Sequence, residues 1–244
     1  MLYEFLTETN RKTSTPIDIS HAMDAGAMKI LLLGDSDIAR WPLALLPEWT
    51  ICFDPNNDNC NDNHNGVVPV RTKARVNVQG YSGATLEQVV DRFDTSFLHH
   101  DTDTNPTIVV FCAGENDIGN GIPLQETLRA LDTLLDAMAL SSDPCTRNRR
   151  LIVLGPKLEP WLNDDLASRK QYIRLSKGMQ RHCLKRSNTT FCDCVFLFCD
   201  DARRADPKFF DKDQLHLNER GYQVWKGIIE EELQKWINTT ATKE

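Results

Sequence analysis

The chain is expected to fold as an α/β protein, a three-layer α/β/α sandwich built on a mainly parallel central sheet. Three observations predict it. Short, continuous apolar runs recur along the chain, amphipathic helical patterns separate them, and reactive side chains stand just past the runs. Uninterrupted apolar runs suit strands that are covered on both faces, as a parallel sheet between helical layers requires.

Residues 1–27 are polar and read as a leader or arm, and residues 28–244 read as one catalytic-sized domain. Strands are expected at 29–33, 49–53, 75–79, 107–113 (TIVVFCA), 151–155 (LIVLG) and 194–198 (CVFLF). Residues 85–98 space Leu86, Val89, Val90, Phe93 and Phe97 by threes and fours, which predicts a helix. Pro123 opens a second, with Leu124, Leu128, Leu131, Leu135 and Met138 on one face. A third covers about 164–186, with acidic residues in its first turn and Lys185 and Arg186 in its last, as the helix dipole favours. Asn218 is the expected N-cap of a fourth, which carries Val224, Trp225, Ile228, Ile229, Leu233 and Trp236.

Composition narrows the function. The net charge of -7 disfavours phosphate polymers, so no nucleic-acid partner is expected. No run of 18 apolar residues exists to span a membrane, and the first 27 residues lack the apolar segment of a signal peptide. These features predict a cytoplasmic protein with reduced cysteines, although the two N-x-T sequons at Asn188 and Asn238 would matter in a secreted one. Eight cysteines in a chain this long define no disulfide framework. The stretch DPNNDNCNDNHNG (54–66) lacks the spacing of a calcium loop, and FCDCVFLFCD (191–200) contains no CxxC pair, so no metal and no cofactor are expected.

In a doubly wound sheet the ligand site lies beyond the carboxyl ends of the strands. Ser36, in MKILLLGDSDIARW (28–41), and Asn116, in CAGENDIGNG (112–121), both stand there. A serine hydroxyl becomes a useful nucleophile only when a base takes its proton and a carboxylate fixes the tautomer of that base. Of six histidines, His216 in FFDKDQLHLNERGY has the right surroundings, with Asp213 three residues upstream as orienter and Asp211 as the weaker alternative. Cys112 as a thiol nucleophile is disfavoured by its apolar strand. Donors for a developing oxyanion could come from the Ser36 and Gly83 backbone N–H groups and the Asn116 amide. Arg40, Trp41, Tyr81 and Trp161 are the candidates to line a substrate pocket, the tryptophans equally able to pack in the core.

Gly-Asp-Ser after the first strand, the glycine of GYSGATL, Gly-x-Asn-Asp after a later strand and Asp-x-x-His near the C-terminus occur in one order. That order, over residues 28 to about 236, resembles the SGNH hydrolases, also called GDSL esterases and lipases. The resemblance implies a flavodoxin-like sheet, Ser36, His216 and Asp213 as a catalytic triad, and Ser36, Gly83 and Asn116 as the oxyanion hole. The chain departs from the pattern at Asp37, where the lipase signature has leucine, and carries Glu115 at a variable place. The implied activity is a serine esterase for a small, short-acyl ester. A carbohydrate O-deacetylase, a lysophospholipase or thioesterase, and a catalytically idle binding module of the same fold are the alternatives. Nothing in the sequence indicates an oligomeric state.

Overall fold

The computed structural model describes residues 28–45, 50–53, 70–93, 107–139 and 149–241. The expected N-terminal arm, the Asn/Asp-rich stretch at 54–66 and the tail of the helix predicted for 85–98 lie outside them. Six strands form the sheet: β1 (Met28–Gly34), β2 (Thr50–Phe53), β3 (Val70–Gly80), β4 (Thr107–Cys112), β5 (Arg149–Leu154) and β6 (Thr189–Cys192), in the order β2-β3-β1-β4-β5-β6. Strands β3-β1-β4-β5-β6 run parallel, in the doubly wound order of flavodoxin-like sheets, and β2 adds an antiparallel edge. Winding reverses between β1 and β4, so the crevice of such a sheet opens beyond those two strands.

The apolar runs behave as a sheet covered on both faces demands. Ile30, Leu32, Ile108, Val110, Ile152 and Leu154 pack into one core, while Leu31, Leu33, Val109, Phe111, Leu151 and Val153 alternate into the other. Helix α1 (Ser36–Ala39) and the long α6 (Glu219–Ala241) cover the first face. On the second lie α2 (Leu86–Arg92), α4 (Leu124–Ala139) and α5 (Leu166–Cys183), with the short α3 (Glu115–Gly119) ahead of α4. Each fully buried leucine or isoleucine contributes roughly 2 kcal/mol, so the two cores hold the strands in register.

Asn218 caps α6 as expected, whereas α5 is shorter than predicted: Asp165 is its N-cap rather than part of its first turn, and Lys185 and Arg186 lie beyond its end at Cys183. Asn218 Oδ1 accepts the N–H groups of Arg220 and Gly221 at 2.9 and 3.3 Å, and Asp165 Oδ1 accepts those of Ala167 and Ser168 at 3.0 Å. One expected strand is misplaced. Residues 194–198 form a turn that buries Cys194, Val195 and Phe198 and exposes Phe196, and the edge strand is β6, upstream at TTFC. Asp193 Oδ1 takes the Val195 N–H at 3.2 Å and the Ser176 hydroxyl at 2.9 Å, which ends the strand. Cys194, Val195 and Phe198 are apolar because they pack beneath α6, not because they pair with a neighbour.

Candidate active site

Ser36, Asn116, Asp213 and His216 face one cavity of about 350 Å³ at the carboxyl ends of β1, β4 and β5. The end of β1 is pressed closely against its neighbours. Gly34 lies opposite both Gly80 and Cys112 in the register, and a Cβ on Gly34 would stand 2.0 Å from the Cys112 carbonyl oxygen. At Gly80 a Cβ would meet the Ala39 backbone nitrogen at 2.2 Å, so only glycine lets α1 turn this tightly over the sheet. Asp35 then caps α1, its Oδ1 accepting the Asp37 N–H at 3.3 Å. The cap is therefore the Asp35 carboxyl and not the Ser36 hydroxyl, and Ser36 begins the helix half-buried at the cavity wall. Burial, with Asp37 and Glu115 nearby, pushes the Asp35 carboxyl well above the usual carboxylate range.

The loop ahead of α6 is organised by Asp213. Its Oδ1 accepts the N–H groups of Leu215 and His216, both at 3.0 Å, and its Oδ2 lies 2.7 Å from His216 Nδ1. Gln214 adopts a left-handed φ of 55° to close this turn. With Nδ1 engaged, Nε2 is the imidazole nitrogen left to act elsewhere. Partial burial works against the Asp213 carboxylate, but the hydrogen bonds from the His216 ring and the two backbone N–H groups hold its pKa well below the ordinary value. Asp211 instead meets the loop through its backbone, donating its N–H to the His216 carbonyl at 2.8 Å.

Asn116 donates through Nδ2 to the Ala84 carbonyl at 2.9 Å, with Asp35 Oδ2 at 3.5 Å. That bond joins the start of α3 to the loop holding Gly83, which has a φ of 72° and open space around it. Gly83 is exposed and does not line the cavity itself. Thr85 and Gln88 form a capping box at the start of α2, and the buried Asp117 accepts the Leu86 N–H at 2.8 Å.

The cavity floor is charged. Lys157 Nζ lies 2.7 Å from Asp37 Oδ2, 2.7 Å from Glu115 Oε2 and 3.3 Å from Glu159 Oε1. Burial opposes the lysine charge, but the three carboxylates outweigh it and raise its pKa well above normal. Burial pushes Glu159 up as well. Glu159 also accepts from Trp161 Nε1 at 2.6 Å and from the Tyr172 hydroxyl at 3.4 Å.

The four candidate pocket residues part company. Trp161 lines the cavity and is half exposed. Trp41 does not: it is buried against Tyr222 and Trp225 beneath α6, because the turn after α1 points it into the aromatic core. Tyr81 leans away too, donating its hydroxyl to the Arg92 carbonyl at 2.7 Å under the Arg92 guanidinium. Arg40 reaches Asp213 Oδ2 at 3.3 Å rather than the cavity. Burial, with Asp35 next in weight, pushes the Cys112 thiol well up, which makes it a poor nucleophile. Among the described residues no group of three or more His, Cys, Asp or Glu is placed to hold a metal ion.

The GDSL-like lipase/acylhydrolase family matches residues 32–224, which take in all of the segments just described. The chain belongs to that family. It is thereby a hydrolase acting on ester bonds. No curated protein matches the chain by sequence. Among solved structures, a lipase/acylhydrolase from Enterococcus faecalis is 17% identical with a TM-score of 0.59, covering 85% of this chain and 96% of its own. A GDSL-like lipase from Bacteroides thetaiotaomicron is 15% identical with a TM-score of 0.55, covering 85% and 88%. An acetyl esterase, crystallised as a point mutant with an acetate ion, is 18% identical with a TM-score of 0.56, covering 87% and 99%. At these identities the likeness is one of fold.

Against the family pattern, sequence reasoning passed over Lys157, Glu159 and Tyr172, which line the cavity, and gave no role to Glu115. The stretch GPKLEPW (155–161) itself is expected from sequence to reach the crevice because it follows a strand, and it does, but sequence reasoning gives a candidate role only to Trp161 in it.

Proposed function

We propose that this GDSL-family protein is a serine esterase in which Ser36 is the nucleophile, His216 the base and Asp213 its orienter. The observation that carries the reading is the 2.7 Å contact between Asp213 and His216 Nδ1, on a loop facing the same cavity as Ser36 and Asn116. Ser36 Oγ attacks the ester carbonyl carbon as His216 Nε2 takes its proton, and the carbonyl π electrons move onto oxygen. The Ser36 N–H and the Asn116 amide, both at the cavity, stabilise that oxyanion, while the Gly83 N–H that the resemblance implies stands outside the cavity lining. Collapse expels the alcohol, which takes the proton from His216 and leaves an acyl-serine. Water, deprotonated by His216, repeats the sequence and releases the acid. Asp213 stays ionised throughout and stabilises the imidazolium.

The substrate is a small, short-acyl ester. A cavity of about 350 Å³ is small for a long alkyl chain, and Asp37, Glu115, Lys157 and Glu159 are among the residues that line it. The acetyl esterase among the structural neighbours has the same fold. A sugar O-acetyl ester is the second reading, favoured by the half-exposed Trp161 ring beside a polar floor that suits a hydroxyl-rich group. The test is a 4-nitrophenyl ester series from acetate to octanoate with wild type and Ser36→Ala. Rates should peak at acetate and vanish in the variant. A profile rising with chain length would point to a lipid ester, equal rates for both proteins would remove Ser36 as nucleophile, and no hydrolysis at all would favour an idle binding module. Acetate release from acetylated sugars, faster than from the aryl ester, would establish the second reading.

A further inference from the structure

One buried cation bonds the chain neighbours of Ser36 and Asn116 and, through one of those neighbours, reaches the residue beside His216. Lys157 Nζ bonds Asp37, the neighbour of Ser36, and Glu115, the neighbour of Asn116, each at 2.7 Å. The other Asp37 oxygen, Oδ1, accepts the N–H of Leu217, the neighbour of His216, at 3.4 Å. The Lys157 backbone N–H adds a second bond to Glu115, on Oε1 at 2.7 Å. These contacts cross three loops that are far apart in the chain, and they use Asp37, where the sequence departs from the GDSL pattern, and Glu115, at its variable place.

Lys157 has no donor left for chemistry of its own. An ammonium carries three N–H bonds, and Asp37, Glu115 and Glu159 offer three acceptors. It therefore neither serves as a base nor donates to an oxyanion. Stability alone is a weak explanation as well, because a buried ion cluster can often be replaced by apolar side chains without loss. A cluster like this supplies geometry: charge-assisted bonds of this length on side chains only 1% and 3% exposed leave little latitude. Building on the serine-esterase reading, we propose that Lys157 is a positioning residue that sets the mutual placement of Ser36, Asn116 and His216 through Asp37 and Glu115.

The test compares wild type with Lys157→Arg, which keeps the charge but changes the donor geometry, and with the triple variant Lys157→Met/Asp37→Leu/Glu115→Gln, which removes the cation and the two carboxylates that tie it to the site loops while Glu159 keeps its bonds from Trp161 and Tyr172. Thermal unfolding, kcat and KM on 4-nitrophenyl acetate, and the rate of fluorophosphonate labelling at Ser36 are measured together. The triple variant should unfold cooperatively near the wild-type temperature, lose roughly tenfold or more in kcat with KM changed by less than about threefold, and label more slowly in proportion. A folded triple variant with kcat within about twofold of wild type overturns the proposal, since misplacement should cost more than that. If the triple variant does not fold, Lys157→Arg decides by the same criteria; if neither folds, the cluster is a scaffold and the proposal fails. A wild-type protein that neither hydrolyses nor labels sinks the esterase reading instead. The positioning claim is then decided by whether a Lys157→Arg crystal structure displaces residues 36, 116 and 216 from their wild-type places.

Discussion

Asp213 meets solvent on one side of the cavity, its side chain 41% exposed between His216 and Arg40, whereas Lys157 on the floor is 1% exposed among three carboxylates. The two clusters contain similar groups at similar distances, yet they work on different terms. Around Asp213 water screens the charges, so what counts is the direction of the hydrogen bonds, which fix one face of an imidazole. Around Lys157 burial leaves little room for solvent to screen the charges, so each charge must be answered by another and the geometry is tightly set. The exposed cluster suits a group that must gain and lose a proton. The buried one suits groups that must not move.

Substitutions should separate these terms. On the exposed side His216→Ala is expected to reduce kcat by about 10⁶-fold while leaving the unfolding temperature little changed. A large loss of stability instead would make His216 a structural residue and break the contrast. On the buried side Lys157→Met leaves carboxylates without a partner and should cost about 3–5 kcal/mol in denaturant unfolding. A loss below about 1 kcal/mol would mean that water reaches the floor.

The clusters should also respond to pH with opposite sign. Asp213 has a depressed folded pKa, so its contribution is fully present above its ordinary value near 3.8 and is lost as pH falls through the lower folded value. Asp35 and Glu159 have raised folded pKa values, so their contribution is present below their ordinary values near 3.8 and 4.5 and is lost as pH rises toward the folded ones. Thermal unfolding across this range should show Asp213→Asn falling behind wild type as pH increases, and Glu159→Gln gaining on it. Parallel curves would show that the two carboxyls share one environment. The smallest effect belongs to Arg40→Ala, whose half-exposed pair with Asp213 should be worth less than about 1 kcal/mol and fade in high salt.

The two clusters also differ in how far they could be read from sequence. Asp213 and His216 are three residues apart, so a single turn brings them together, and their contact is a local matter. Lys157 meets Asp37 across 120 residues and Glu115 across 42, and nothing nearby in the chain announces either bond. The strands divide in the same way. Residues 29–33 and 107–113 read as strands because both faces of the sheet are covered, but CVFLF at 194–198 has the same apolar run and forms a partly buried turn. Apolar character reports burial, and burial alone does not choose between a strand and a turn under a helix. Trp41 and Trp161 make the point for the site: both follow strands at the crevice end, and only tertiary packing sends one to the core and the other to the cavity.

The hydroxyl of Tyr222 donates to the Asp37 carbonyl at 2.7 Å, a bond that spans 185 residues. During synthesis β1 and its turn leave the ribosome long before α6 exists to hold them. On the proposed triad, the nascent chain carries a serine without its imidazole until residues 213–222 dock against β1 and its turn, so the onset of hydrolysis would report that contact.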